Sequence, residues 1–195
     1  MDLVVKRAGI QTLREYGKIP IAFEVRSVLW PHLIRAGAGG IELREEDLPE
    51  PYIKDYDAFE GGRPDTWPAQ FNLDNWAVFV VLAKTGYLAG AVVAFDTPGL
   101  AMLEGRRDLA ALWDIRVHPE VRRGGFGTQL FNQAVEWASG RGCRRLKAET
   151  QNTNTPACRF YAKQGCELGA IDRFAYADKP EVAHETMLLW QKTLG

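Results

Sequence analysis

Cysteine is scarce: Cys143, Cys158 and Cys166 are the only three in 195 residues. That is too few, and odd in number, for a disulfide framework, so a reducing compartment is indicated and the cytoplasm is the expected location. Long apolar runs are missing as well. The longest, Trp76 to Ala83, falls far short of the roughly 20 residues a membrane-crossing helix needs, and the chain does not open with a basic stretch followed by an apolar run. A soluble, unprocessed protein with no membrane partner is therefore expected. Charge of one sign is also lacking, since 24 Lys and Arg face 25 Asp and Glu for a net charge of -1, which argues against a nucleic-acid partner. The three histidines, His32, His118 and His184, are scattered without metal-ligand spacing, so packing or surface roles and no metal are expected. Neither repeats nor low-complexity tracts occur. At 46% hydrophobic content a chain of this length can bury one core, and a single domain over residues 1–195 is expected.

Charge that balances overall is unevenly spread. Between Glu42 and Asp65 nine acids stand against three bases, whereas between Arg116 and Lys147 seven bases stand against two acids. Such runs are commonly solvated faces. They also fit an acidic acceptor side and a basic cofactor side, a reading that needs support from motifs.

Residues 2–7 read as a strand, and residues 10–35 as partly helical with breaks at Pro20 and Pro31. Residues 36–75, rich in Gly, Pro and acids, read as strand fragments joined by loops. Trp76–Lys84 and Tyr87–Phe95 are apolar runs flanking Thr85-Gly86, a hairpin signal that implies antiparallel strands. From Leu112 the pattern becomes strand to Val117, helix from Thr128 to Ser139, strand over 143–149, and a second helix opened by Thr155-Pro156 and closed by Gly165. Strands over about 166–176 and 185–192 complete an α/β (α+β) chain. Its mixed sheet has antiparallel early strands, one parallel crossover and flanking helices.

Arg122-Arg123-Gly124-Gly125-Phe126-Gly127-Thr128 joins a strand to a helix, where backbone N–H groups and a helix N-terminus make a concave anion site. Gly124, Gly125 and Gly127 keep side chains from holding the anion off the amides. A P-loop is ruled out because Gly127 is followed by Thr128 and Gln129 with no lysine, and the dinucleotide fingerprint fails because Leu130 stands at its third glycine. A plain structural turn remains the alternative for a glycine-rich loop taken alone.

Arg122, Gly125 and Gly127 match the Arg/Gln-x-x-Gly-x-Gly/Ala motif, and the chain resembles the GNAT superfamily of N-acetyltransferases, with its cofactor-binding core at about residues 110–165. The resemblance implies that the strand Leu112–Val117 offers its backbone at Ile115, Arg116 and Val117 to the pantetheine arm of acetyl-CoA. It implies too that Arg122 to Thr128 bind the pyrophosphate, and that Asn154 and Tyr161, seven residues or two helical turns apart, complete the cofactor site. In the reaction so implied, Tyr161 protonates or hydrogen-bonds the departing thiolate, since a phenol is ordinarily protonated at neutral pH; the bland alternative is a core aromatic. A backbone N–H near Val117 polarises the carbonyl. The base is left open among Asp114, Glu149 and a water chain, with Asp114 alternatively an acceptor anchor or an ion-pair partner.

Further segments resemble streptothricin acetyltransferases: Glu149–Asn154, Pro156–Lys163, Gly169–Asp172, His184-Glu185-Thr186 and Pro51–Tyr56. The likeness spans roughly residues 41–192, with Glu60–Asn75 as a longer stretch that departs from it. It implies a small-molecule amine acceptor that is cationic, met by Asp55, Asp57 and Glu149, and a fold class in which homodimers are common. An acetyltransferase for a polyamine or a protein lysine, and a non-catalytic acetyl-CoA sensor, would keep the same cofactor residues.

Overall fold

Residues 77–83 and 86–95 are apolar at nearly every position, as strands covered on both faces must be. They pair antiparallel as β4 (Ala77–Ala83) and β5 (Gly86–Phe95). The computed structural model describes residues 4–84 and 86–195, so Thr85 of the expected turn and residues 2 and 3 of the expected first strand lie outside the described residues. The remaining strands are β1 (Val5–Ala8), β2 (Phe23–Leu33), β3 (Ile41–Lys54), β6 (Leu109–Val117), β7 (Arg145–Gln151), β8 (Glu167–Asp172) and β9 (Met187–Thr193). The α-helices are α1 (Leu13–Tyr16), α2 (Phe126–Ser139) and α3 (Thr155–Lys163). Seven strands form one mixed sheet in the order β1-β4-β5-β6-β7-β9-β8, and β2 and β3 form a separate two-stranded ribbon. Strands β6 and β7 run parallel, while β1–β4, β4–β5, β5–β6 and β8–β9 are antiparallel.

The chain divides into two compact units, each assembled from separate stretches of sequence. The first holds residues up to Ala22, Asp55–Ala148 and Lys192–Gly195. On one face of its strands lies a core of Leu13, Tyr16, Ile19, Trp67, Trp76 and Leu103 against Val78, Val80, Val92 and Ala111. Helix α2 covers the strands β4 to β6, burying Leu130, Phe131, Ala134, Trp137 and Ala138. Gly90 is fixed by this packing: an added Cβ would stand 2.4 Å from the Tyr16 ring and 2.8 Å from the Phe79 carbonyl.

Strand β6 contains a bulge. Leu112 stands opposite Val93 and Asp114 opposite Val92, which leaves Trp113 as the extra residue. An inserted residue breaks strict alternation and re-aims the side chains beyond it. Asp114 and Arg116 are thereby in step with Val92 and Gly90, toward Tyr16.

The second unit holds Phe23–Lys54 and Glu149–Gln191. Residues 10–35, expected to be partly helical, contain only a 3-10 turn over Ile10–Thr12 and the four-residue α1 before β2 begins. The helical spacing of Leu13, Tyr16 and Ile19 is real, but it marks a short core-facing anchor. Pro31 sits within β2 opposite Leu43, tolerable in a two-stranded ribbon where one edge of each strand needs no ladder partner. Val25 pairs with Tyr52 and Ser27 with Asp47, so Leu48–Pro51 loop out opposite Arg26. Pro49 and Pro51 have no N–H to give a ladder, which explains the break. Asn152, fully buried, ties three segments together. Its backbone donates to Thr186 C=O (2.9 Å) and accepts from Leu29 N–H (3.0 Å), and its side chain donates to Leu29 C=O and accepts from Thr186 N–H.

Candidate functional site

The glycine-rich segment in the first unit forms the turn into α2. Gly125 adopts φ 83° as the residue before the helix, and Arg123 also has positive φ. The first helical ladder bond runs from Gln129 N–H to Gly125 C=O (3.1 Å), so the amides of Gly125, Phe126 and Gly127 precede the ladder at the positive end of a 14-residue helix. Residues 122–125 are exposed, and a Cβ built on Gly125 would meet nothing within 4 Å. That open cradle fits a pyrophosphate. The Arg122 guanidinium turns away from it, donating to the carbonyls of Val117 and Ala22 (both 3.1 Å), and so braces the root of the loop.

The edge of β6 is the second feature. Its ladder with β7 covers Leu109–Ala111 opposite Arg145–Lys147, and among the described residues it stops there. On the other side His118 N–H donates to Leu88 C=O (2.7 Å). Antiparallel pairing alternates direction from residue to residue, so Asp114 and Arg116 turn their backbone groups toward β5, while Ile115 and Val117 turn theirs toward the side where the ladder has ended. The Val117 carbonyl accepts from Arg122. The remaining groups of Ile115 and Val117 form a short strand edge of the kind an extended ligand can pair with.

Asp114 is buried among donors. It accepts from the Tyr16 hydroxyl and from Arg116 Nε (2.9 Å) and Nη2 (2.7 Å). Arg116 also donates from Nη1 to Asp57 Oδ2 (2.9 Å) and Ile19 C=O (3.1 Å), and from Nη2 to Asp57 Oδ1 (3.1 Å). All five guanidinium N–H groups are thus used, with the side chain at 0% exposure. Burial pulls the Arg116 pKa down, but the Asp114 and Asp57 carboxylates more than offset it and the group stays charged. Burial and the adjacent Asp114 charge push the Tyr16 phenol well above its ordinary value, so it remains a donor. With both oxygens of Asp114 engaged, this geometry corresponds to an ion-pair partner rather than a free base. Asp55 caps the turn Tyr56–Ala58, its side chain accepting from Asp57 N–H (3.0 Å).

In the second unit Asn154 caps α3, accepting from Ala157 N–H (3.1 Å). Tyr161 is buried in α3 between Phe160 and Trp190, whose ring centroids lie 5.3 and 6.5 Å away. Glu149 accepts from the Tyr176 hydroxyl (2.7 Å), which accepts in turn from Gln151 (2.8 Å). A buried Lys54–Glu185 ion pair, with Thr153 beside it, lies in the same unit; burial lowers the Lys54 pKa against the pull of Glu185. Sequence reasoning missed Tyr16, the Arg116 side chain, Asn152 and this pair. The one available signal was a charged residue at a buried strand position, and its partners are remote in the chain.

Residues 41–166 match the acetyltransferase (GNAT) family. Among curated proteins, the chain is 41% identical to a streptothricin acetyltransferase of Escherichia coli over 83 residues, 43% of this chain and 48% of that protein. It is 29% identical to streptothricin acetyltransferase A of Bacillus subtilis over 164 residues, 84% and 86% of the two chains. The match thus spans about half the length of the first relative and most of the second. Among solved structures, a nourseothricin acetyltransferase superposes with a TM-score of 0.76 at 21% identity, each chain fully covered. A Bacillus anthracis protein, assigned as a streptothricin acetyltransferase and solved with acetyl coenzyme A, superposes with a TM-score of 0.75 at 24% identity, covering 99% and 100%. At these identities the structural likeness establishes the fold.

Proposed function

The chain belongs to the acetyltransferase (GNAT) family, and from that premise we propose that it transfers an acetyl group from acetyl-CoA to an amine of a cationic small molecule, with streptothricin as the acceptor. The observation that carries the transfer is the pairing, within one unit, of the open turn at Gly125 with a β6 edge that, among the described residues, is left unladdered at Ile115 and Val117. The acceptor rests on the likeness to the two streptothricin acetyltransferases and on the acid excess between Glu42 and Asp65, which concentrates a polycation.

Acetyl-CoA supplies the activated acyl group as a thioester. The loop from Arg123 to Thr128 holds its pyrophosphate through backbone N–H groups, and Arg122 holds the loop. The backbone of Ile115 and Val117 orients the pantetheine arm as an added strand, and the Val117 N–H polarises the reacting carbonyl. Asn154 shapes the start of α3, and the Tyr161 hydroxyl holds the proton needed by the departing sulfur. Because Asp114 is committed to Tyr16 and Arg116, the amine's proton leaves through Glu149 or water. Three buried cysteines held as thiols suit action in the cytoplasm.

The test is acetyl transfer from acetyl-CoA to streptothricin beside spermidine, an aminoglycoside and a lysine peptide. The expected result is the highest kcat/KM with streptothricin. Turnover confined to the peptide would remove the small-molecule reading while leaving acetyl transfer in place.

A further inference from the structure

The last four residues of β6 are secured by the sheet on one side. They pair with β5 beyond the bulge at Trp113, and among the described residues the ladder with β7 ends at Ala111. A strand end paired on one side only, next to a bulge, is free to twist. Yet Ile115 and Val117 must keep their N–H and C=O groups pointed one way if an extended ligand is to pair with them.

Beneath them lies the Arg116 side chain. It grips Asp114, two residues back on the same strand, through one two-bond fork and Asp57 through another, and its remaining N–H reaches the Ile19 carbonyl. Tyr16 donates to the same Asp114 carboxylate. Three stretches of chain (Tyr16 to Ile19, the turn at Asp57 and β6 itself) thus meet around the Arg116–Asp114 pair.

We propose that Arg116 is a positioning residue for acetyl-CoA: by locking Asp114 to Arg116 from below, it fixes the direction of the Ile115 and Val117 backbone that pairs with the pantetheine arm. The inference rests on that placement of the arm along β6 and does not involve the acceptor. Lysine cannot replace the arginine, since its ammonium has three donors and no planar fork. The pyrophosphate loop has further support of its own, since Arg122 also donates to the Ala22 carbonyl and the loop runs directly into α2.

Two ligands separate the clamp from a general structural role. Acetyl-CoA uses both the loop and the β6 edge, whereas adenosine 3′,5′-bisphosphate lacks the pantetheine arm. Binding of each is measured by calorimetry or competition in the wild type, Arg116→Lys and Asp57→Asn. Arg116→Lys should weaken acetyl-CoA at least about 10-fold and Asp57→Asn about 3- to 10-fold, from the loss of one or more charge-assisted bonds. The bisphosphate should change less than about 2-fold in both, since its loop contacts are unaltered. Should Arg116→Lys fail to fold, Asp57→Asn carries the test, because it removes charge at the more accessible end of the clamp. Equal weakening of both ligands, or no change in either, overturns the proposal. A wild-type protein that binds acetyl-CoA but acetylates no small amine would defeat the functional reading and leave this comparison to be made.

Discussion

The Tyr16 phenol is held protonated by burial and by the Asp114 carboxylate that accepts from it. Its folded pKa lies above the unfolded value of about 10, so its contribution to stability is complete below that value and is lost as pH rises through and beyond it. Tyr16→Phe should cost about 1–3 kcal/mol at pH 7, the range for stranding a buried acceptor of this kind. It should also flatten the alkaline limb, so that urea unfolding at about pH 7 and about pH 10.5, either side of the ordinary phenol value, shows the wild type losing more stability than the variant. Identical losses would mean that Tyr16 does not titrate with unfolding. Tyr161→Phe tests chemistry instead: kcat should fall by on the order of 10- to 1000-fold with acetyl-CoA affinity little changed, because only the hydroxyl is removed. An unaltered kcat with chemistry rate-limiting returns Tyr161 to packing against Trp190. Neither environment could be read from the sequence. Asp114 was visible as a carboxylate on a strand, but Tyr16 lies 98 positions from it and Asp57 lies 59 from Arg116, and no local period encodes such meetings.

Elements with strong local signals were legible. The apolar runs of β4 and β5, the spacing of α2 and the Thr155-Pro156 start of α3 each specify their structure within a few residues. Strand β2 was not, because Leu13, Tyr16 and Ile19 continue a helical spacing up to Pro20, and Pro31 argues against a strand wherever edge and centre are not yet distinguishable. The 14-residue β3 was obscured by acids and two prolines. The bulge in β6 has no local signature either, and it decides where Asp114 and Arg116 point. The glycine loop's place between strand and helix was legible, and its conformation yields a sharp prediction. Gly125→Val should cost only about 1–2 kcal/mol, from placing a side chain at φ 83°, since no atom lies within 4 Å of its Cβ. Acetyl-CoA affinity should nonetheless drop by on the order of 10-fold or more as the side chain occupies the space before the amides. Thermal melting with and without acetyl-CoA checks both, and a ligand shift equal to that of the wild type would place the pyrophosphate elsewhere.

Across the whole molecule, order is unevenly distributed. In the first unit most residues of β4, β5 and β6 up to Leu112 are buried, whereas in the second unit β3 is exposed along most of its length and among the described residues pairs only with β2. Two-stranded ribbons are marginal by themselves. Amides of β3 should therefore exchange with deuterium on the order of 100-fold faster than those of β5, the span expected between local and global opening; comparable protection would show that the ribbon is held as firmly as the sheet. Strand β3 carries Glu42, Glu45, Glu46, Asp47 and Glu50, with Pro49 and Pro51 near its end. Open strand edges are where foreign chains add themselves, and carboxylates together with missing N–H groups are what make such addition unfavourable. The prolines that break the β3 ladder thus also make this strand a poor template for an added one.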